Sequence, residues 1–295
     1  MPRFKLTIEY AGTRYSGWQI QKNAKTIQGE IDRAVRTVTG RKDFELYASG
    51  RTDAGVHALA QVAHLDVSTT LPPDTLQLRV NDELPADINI LSAIVVPHRF
   101  HARHDAVSRR YLYQISRRRT AFAKAYVWWV KERLDLPRMR QAAQCFVGMR
   151  DFRSFTPDDD LDDTASTVRL PSRSLRPGKP DTTRARSTVV LVERLDIAED
   201  GDLILVGIEG SHFIWKMVRR IVGVLAEIGR GGLDPTAAAE FLTAESKTPA
   251  RLTAPPSGLF LERVYYEGDA RTSGTPVLRA VTKIESKHND QRRDR

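Results

Sequence analysis

Strand-type and helix-type periodicity alternate along this chain in an order that leaves few folds open. Phe4, Leu6, Ile8 and Tyr10 alternate with Lys5, Thr7 and Glu9, the period-2 mark of a strand with one buried face. Thr26 then offers a helix cap, Ile27, Ile31, Ala34, Val35 and Val38 share one helical stripe, and Gly40 ends it. Residues 44–49 and 61–67 read as strands around a Gly-containing loop at 50–58, residues 73–80 as a short helix and 88–96 as a strand. That order, β-α-β-β-α-β, is the ferredoxin-like split βαβ, and it closes near residue 97.

The order returns in the second half. Residues 109–115 read as a strand with Tyr111, Tyr113 and Ile115 on one face, and 136–147 as a helix that aligns Met139, Ala142, Ala143 and Phe146. Strands at 188–195 and 203–209 follow. Ile214, Met217, Val218, Ile221, Val222, Leu225 and Ile228 then form a strong helical stripe, before a short helix from Asp234-Pro235 and a strand at 259–266. No repeat of residue identities accompanies this, so the duplication is read from element order alone. The expected fold class is α+β, built from two ferredoxin-like halves, residues 1–105 and 106–268, with a central, mostly antiparallel sheet. Residues 157–187 hold the acidic run PDDDLDD and a Pro-, Ser- and Arg-rich stretch, and read as a mobile insertion. The polar tail, 269–295, reads as disordered.

Charge narrows the partner. Lys and Arg number 46 against 37 Asp and Glu, a surplus of +9. The insertion carries equal numbers of each sign and the tail from residue 267 contributes only +2, so +7 sits on the folded body. An anionic partner fits. With 28% charged residues and apolar stretches no longer than strands, the chain is not expected to cross a membrane. Cys145 is the one cysteine, which excludes an internal disulfide and a cysteine-rich zinc site. The N-terminus enters a strand pattern without the apolar core of a secretion signal, so a cytoplasmic protein is expected.

The most informative octapeptide is Gly50-Arg51-Thr52-Asp53-Ala54-Gly55-Val56-His57, lying between two expected strands. Glycine at both ends permits close backbone approach to a ligand. Asp53 is its only acid, and Arg51 beside it could hold the carboxylate ionised and aimed through a charge-assisted hydrogen bond. An Asp needs little activation to be anionic, and carboxylates act as nucleophiles at anomeric carbons. On composition alone the loop is better read as an Asx-turn in which Asp53 bonds its own backbone and Arg51 is a solvated neighbour.

This octapeptide resembles the signature loop of the tRNA pseudouridine synthase A family. Further segments resemble the same family in order: Tyr10 to Gln19, Thr26 to Glu30, Phe100 to Arg103, Arg110 to Tyr113, Asp151 to Phe155, Met217 to Gly223 and Gly258 to Leu261. The resemblance implies a pseudouridine-synthase fold with a catalytic cleft between the halves. The implied activity is isomerisation of uridine to pseudouridine at positions 38, 39 and 40 of the tRNA anticodon stem-loop, without cofactor or metal. It implies Asp53 as nucleophile, with the routes through ribose C1′, uracil C6 or a glycal left open. Arg51 would pair with Asp53 and fill the gap left by the flipped uridine, and Tyr111 would stack on the uracil and assist proton removal from C5. Arg219 is implied as an active-site residue able to pair with Asp53, Leu259 as a contact to the base, and a homodimer as the assembly.

Each residue also has a plainer role open to it: Tyr111 as a cross-strand aromatic, Leu259 as strand core, and Arg219 as part of a solvated helix face with Lys216 and Arg220. His98, His101 and His104 alternate faces in an extended segment and are not read as metal ligands. Tyr15 and Trp18, with Arg109, Arg110 and the run 117–119, are expected beside the RNA backbone and bases. The Trp215-Lys216 pair departs from the family pattern, which frequently has His-containing residues there, and leaves the shape of that wall open. Two other functions remain: a non-catalytic RNA-binding protein of tandem ferredoxin-like domains, and a carboxylate-nucleophile hydrolase, in which His57 would have to serve as the second acid-base group.

Overall fold

The computed structural model describes residues 1–156, 187–271 and 279–281. The acidic and basic insertion and most of the polar tail therefore lie outside the described residues.

Alternation decides the first strand, β1 (Arg3–Tyr10): Phe4, Leu6, Ile8 and Tyr10 are buried while their neighbours are not. Helix α1 (Ile27–Thr39) starts where Thr26 Oγ1 accepts from the Gly29 N–H at 3.2 Å and stops at Gly40, whose φ of 66° is left-handed. Its stripe of Ile27, Ile31, Ala34 and Val35 is buried over the sheet. Strands β2 (Glu45–Ala48) and β3 (His57–Asp66), helix α2 (Pro73–Glu83) and strand β4 (Ile88–Val96) complete the first part. β3 begins four residues before the expected strand because it is buried almost throughout, which erases the alternation that marks a strand with one wet face.

The second part runs β5 (Ala106–Ser116), β6 (Trp128–Trp129), α3 (Leu136–Ala143), β7 (Gly148–Asp151), β8 (Val189–Asp200), β9 (Leu203–Gly210), α4 (Met217–Arg230), α5 (Ala237–Thr243), α6 (Thr248–Arg251) and β10 (Leu259–Tyr266). The helix expected over 136–147 ends at Ala143 and tightens into a 3-10 turn, Gln144–Phe146, ahead of Gly148 at φ 98°. The stripe read from Ile214 becomes helix only at Met217, because Lys216 sits at φ 59°, outside helical space.

The architecture is mixed α+β around one large, mostly antiparallel sheet in the order β4-β1-β3-β10-β5-β9-β8-β7, with β2 on β3 and β6 on β5. The last strand lies in the middle. β10 pairs antiparallel with β5 and parallel with β3, through Phe260 opposite His57 and Leu261 opposite Ala58. Two apolar cores lie under the helices, one with α1 and α2, the other with α3 and α4. Leu259 and Leu261, two apart and so on one face of β10, enter one core each, and Tyr111 packs against both. Phe260 faces the other way, into a small cluster with Leu112, Leu203, Leu205, Ala123 and Val127.

Candidate active site at the junction of the two cores

The loop 50–56 leads into β3 and is held along its length. Gln61 Nε2 donates to the Gly50 carbonyl at 3.0 Å, Arg109 Nη2 to the Ser49 carbonyl at 3.2 Å, and the Trp18 N–H to the Thr52 carbonyl at 3.1 Å. The Tyr10 and Thr52 hydroxyls lie 2.8 Å apart. A turn follows, closed by the Val56 N–H donating to the Asp53 carbonyl at 3.1 Å with Gly55 at φ 79°, a conformation that suits glycine in this place. Gly12 and Gly17 let neighbouring chain come closer than any side chain would: a Cβ on Gly12 would meet the Val56 carbonyl oxygen at 1.9 Å, and one on Gly17 the Thr52 oxygen at 2.6 Å.

So fixed, Asp53 presents its carboxylate to the start of α4. Arg219 Nη1 donates to Oδ2 at 3.1 Å and the Trp215 indole N–H to Oδ1 at 2.9 Å. Arg219 is itself aimed: its Nε donates to the Ala254 carbonyl at 2.7 Å, and the Ala254 N–H returns a bond to the Arg219 carbonyl at 3.0 Å. The carboxylate keeps 22% of its side-chain surface open, against 13% for Arg219. Both acceptor oxygens are thus directed by side chains more than 160 residues away in sequence, and not by the loop's own backbone as an Asx-turn requires.

Tyr111 lies beside this pair, between Leu261 of β10 and Ile208 of β9, with the Phe213 ring edge-on at 5.2 Å and 87°. Burial pushes its phenol up to about 12; the Arg109 charge opposes and the nearby Asp53 charge adds to this. Leu259 is buried at the mouth of β10, opposite Tyr113. The structure thus brings Asp53, Arg219 and Tyr111 together. Arg51 does not join them: it is exposed and has no ion pair among the described residues, and the Asp53 carboxylate takes its charge partner from Arg219.

Three expectations change. Tyr15 and Trp18 are not free for RNA: they are 3% and 2% exposed, with the Tyr15 hydroxyl donating to Asp87 at 2.5 Å and the Trp18 ring 6.0 Å from Tyr10. Arg109 spends its guanidinium on the carbonyls of Ser49, Arg103, Ala106 and Ser211, and Arg110 pairs with Glu262 at 2.7 Å. The run 117–119 keeps its expected place on the surface: all three are exposed, with Arg117 paired to Glu199, Arg118 to Asp202 and Arg119 over the Trp129 ring. Arg220, read as a solvated neighbour of Arg219, is 5% exposed. Trp215 was legible only as a departure, because nothing local in the sequence ties position 215 to position 53.

His57 has no freedom for acid-base work. Its Nδ1 accepts from the Gly12 N–H at 3.1 Å, which leaves the proton on Nε2, 3.0 Å from the Ala125 carbonyl, and the ring stacks on Phe260 at 4.8 Å. Burial lowers its pKa further.

A single constrained carboxylate, ion-paired and partly open beside a partly buried phenol at the seam of an α+β sheet, is the arrangement of a carboxylate-dependent enzyme. A family described as tRNA pseudouridine synthase matches residues 6–105 and 142–267. Proteins named tRNA pseudouridine synthase A are similar over 90% of this chain and 100% of their own length: 40% identical over 270 residues in Rhodopseudomonas palustris, 39% over 271 in Mesorhizobium japonicum and 37% over 268 in Geotalea uraniireducens. The chain belongs to the tRNA pseudouridine synthase family.

Proposed function

We propose that the protein is an isomerase, an intramolecular transferase that converts uridine to pseudouridine at positions 38, 39 and 40 of the tRNA anticodon stem-loop, with Asp53 as nucleophile. The observation that carries this reading is the two-point hold on the Asp53 carboxylate by Arg219 and Trp215 beside Tyr111. The reaction breaks the N1–C1′ bond, turns the uracil and joins C5 to C1′; the C5 proton is lost and N1 ends protonated, so no atom is gained overall. Asp53 attacks at C1′ or C6, or promotes a glycal. Tyr111 stacks on the uracil and its hydroxyl assists transfer of the C5 proton, Leu259 borders the base, and Arg51, free of the carboxylate, fills the gap in the stack from which the uridine was flipped. Arg219 neutralises and orients the nucleophile.

The reading takes the chain as two ferredoxin-like halves, 1–105 and 106–268, with the cleft between them. The strand orders β4-β1-β3-β2 and β10-β5-β9-β8 support it, since each repeats the 4-1-3-2 order of a split βαβ. It carries with it a cytoplasmic homodimer that contacts tRNA and needs no cofactor or metal. No helix among the described residues is long and apolar enough to cross a membrane.

An RNA-binding module has no use for so constrained a carboxylate, and the hydrolase lacks its second group because His57 is committed to Gly12 and Ala125. Incubation of unmodified tRNA bearing uridine at 38 to 40 separates the three. Pseudouridine formed by the wild type and not by Asp53→Asn is expected. Binding without product by the wild type would point to the module, and released uracil to the hydrolase.

A further inference from the structure

Asp53 is held by two donors of different kinds. Arg219 supplies charge, and the Trp215 indole supplies a neutral N–H at 2.9 Å. A carboxylate anchored at one oxygen still swings about its last torsion, which is broad for Asp. A second donor on the other oxygen fixes the carboxylate plane without cancelling more of its charge. The cost of holding this donor in place is visible. Trp215 leaves 44% of its surface exposed, an unfavourable place for the largest apolar side chain unless its polar edge is in use. Lys216 takes a left-handed backbone at φ 59°, which a non-glycine residue adopts at a cost, and sets its Nζ 4.1 Å from the centre of the Trp215 ring. The same short stretch lays Phe213 edge-on against Tyr111. Residues 213–216 thus reach both members of the site.

We propose that Trp215 is a positioning residue that sets the plane of the Asp53 carboxylate for attack. This rests on the reading of Asp53 as nucleophile. The indole N–H acts through the carboxylate and leaves binding of the tRNA to other surfaces, so its removal slows the bound complex and does not loosen it.

The test measures single-turnover pseudouridine formation and tRNA Kd for Trp215→Phe and Trp215→His. Phe keeps a ring without the N–H; His keeps a ring nitrogen at the same number of bonds from Cβ as the indole N–H. The expected result is a rate lowered about tenfold in Trp215→Phe with unchanged Kd and melting temperature, and most of the rate restored in Trp215→His. Equal rates for wild type and Trp215→Phe would overturn the proposal while leaving the function intact. So would equal losses in both variants, which would make ring bulk the cause, or a loss confined to Kd, which would make Trp215 an RNA contact. Failure of the wild type to form pseudouridine would remove the function and this role together.

Discussion

Tyr111 keeps its proton through the physiological range, since burial places its phenol at about 12. In the proposed reaction it therefore serves as a neutral ring with a hydroxyl, and the two properties separate in Tyr111→Phe. Retained tRNA affinity with a kcat lowered about 100-fold is expected, the scale of a lost proton-transfer group; a rate equal to wild type would leave the ring as its only contribution. His64 is a second residue whose charge state the fold dictates. Its Nδ1 accepts from the Ala102 N–H at 3.1 Å, and it packs against the rings of Tyr47 and His101. Burial first, then the charges of Arg3 and His101, bring its pKa from 6.5 down to about 4, against the opposing pull of Asp66 and Asp105. The native state thus refuses a proton that the unfolded chain accepts between those values. Stability falls as pH drops from about 6.5 to about 4, by up to roughly 1.4 kcal/mol per unit, and this contribution is flat outside the window. Urea midpoints at pH 7.5 and 5 test it: His64→Asn, which keeps an acceptor near Nδ1, should show a smaller difference between the two than wild type.

Elements set how closely the site can be assembled. Arg219 and Gly223 lie one turn apart on α4, and the helix rests on residues 252–254. A Cβ on Gly223 would stand 1.6 Å from the Leu252 carbonyl oxygen. Alanine normally favours a helix interior over glycine by about 1 kcal/mol, but overpacking a close contact costs about 1 to 3 kcal/mol, more so against backbone. Gly223→Ala should therefore lower the melting temperature and, by displacing the Ala254 carbonyl that aims Arg219, lower kcat as well. Unchanged melting with full activity would show that the 252–254 segment yields freely. Element types were largely legible: β4 and β10 run over the residues read as strands, and α1 lies between the Thr26 cap and Gly40. The start of β3 was not, because burial on both faces hides the period, and neither was the start of α4, because one left-handed residue interrupts an apolar stripe that continues through it.

For the whole molecule, the proposed tRNA partner gives the +7 of the folded body a use as a sequence-independent grip on phosphate, from which Arg109 and Arg110 are withdrawn into the fold. Binding to tRNA should weaken roughly 10- to 100-fold between 50 and 200 mM salt, as release of counterions from several phosphates requires. Asp53→Asn should follow the same slope, since the proposed role has the carboxylate act on one nucleoside and not on the backbone; a changed slope would place Asp53 in the electrostatic grip. The sequence by itself determined the longer strands and helices, the chain's own net charge and the loop that carries Asp53, because periodicity, composition and turn chemistry act over a few residues; the short β6, β7 and α6 escaped it. Only the tertiary structure decided which side chains face that carboxylate. Arg219 and Trp215 reach it from 166 and 162 residues away, and the backbones of Tyr15 and Trp18 with the Arg109 guanidinium hold its loop. Such pairings depend on β10 closing the sheet between β3 and β5, a contact between distant segments that no local pattern encodes.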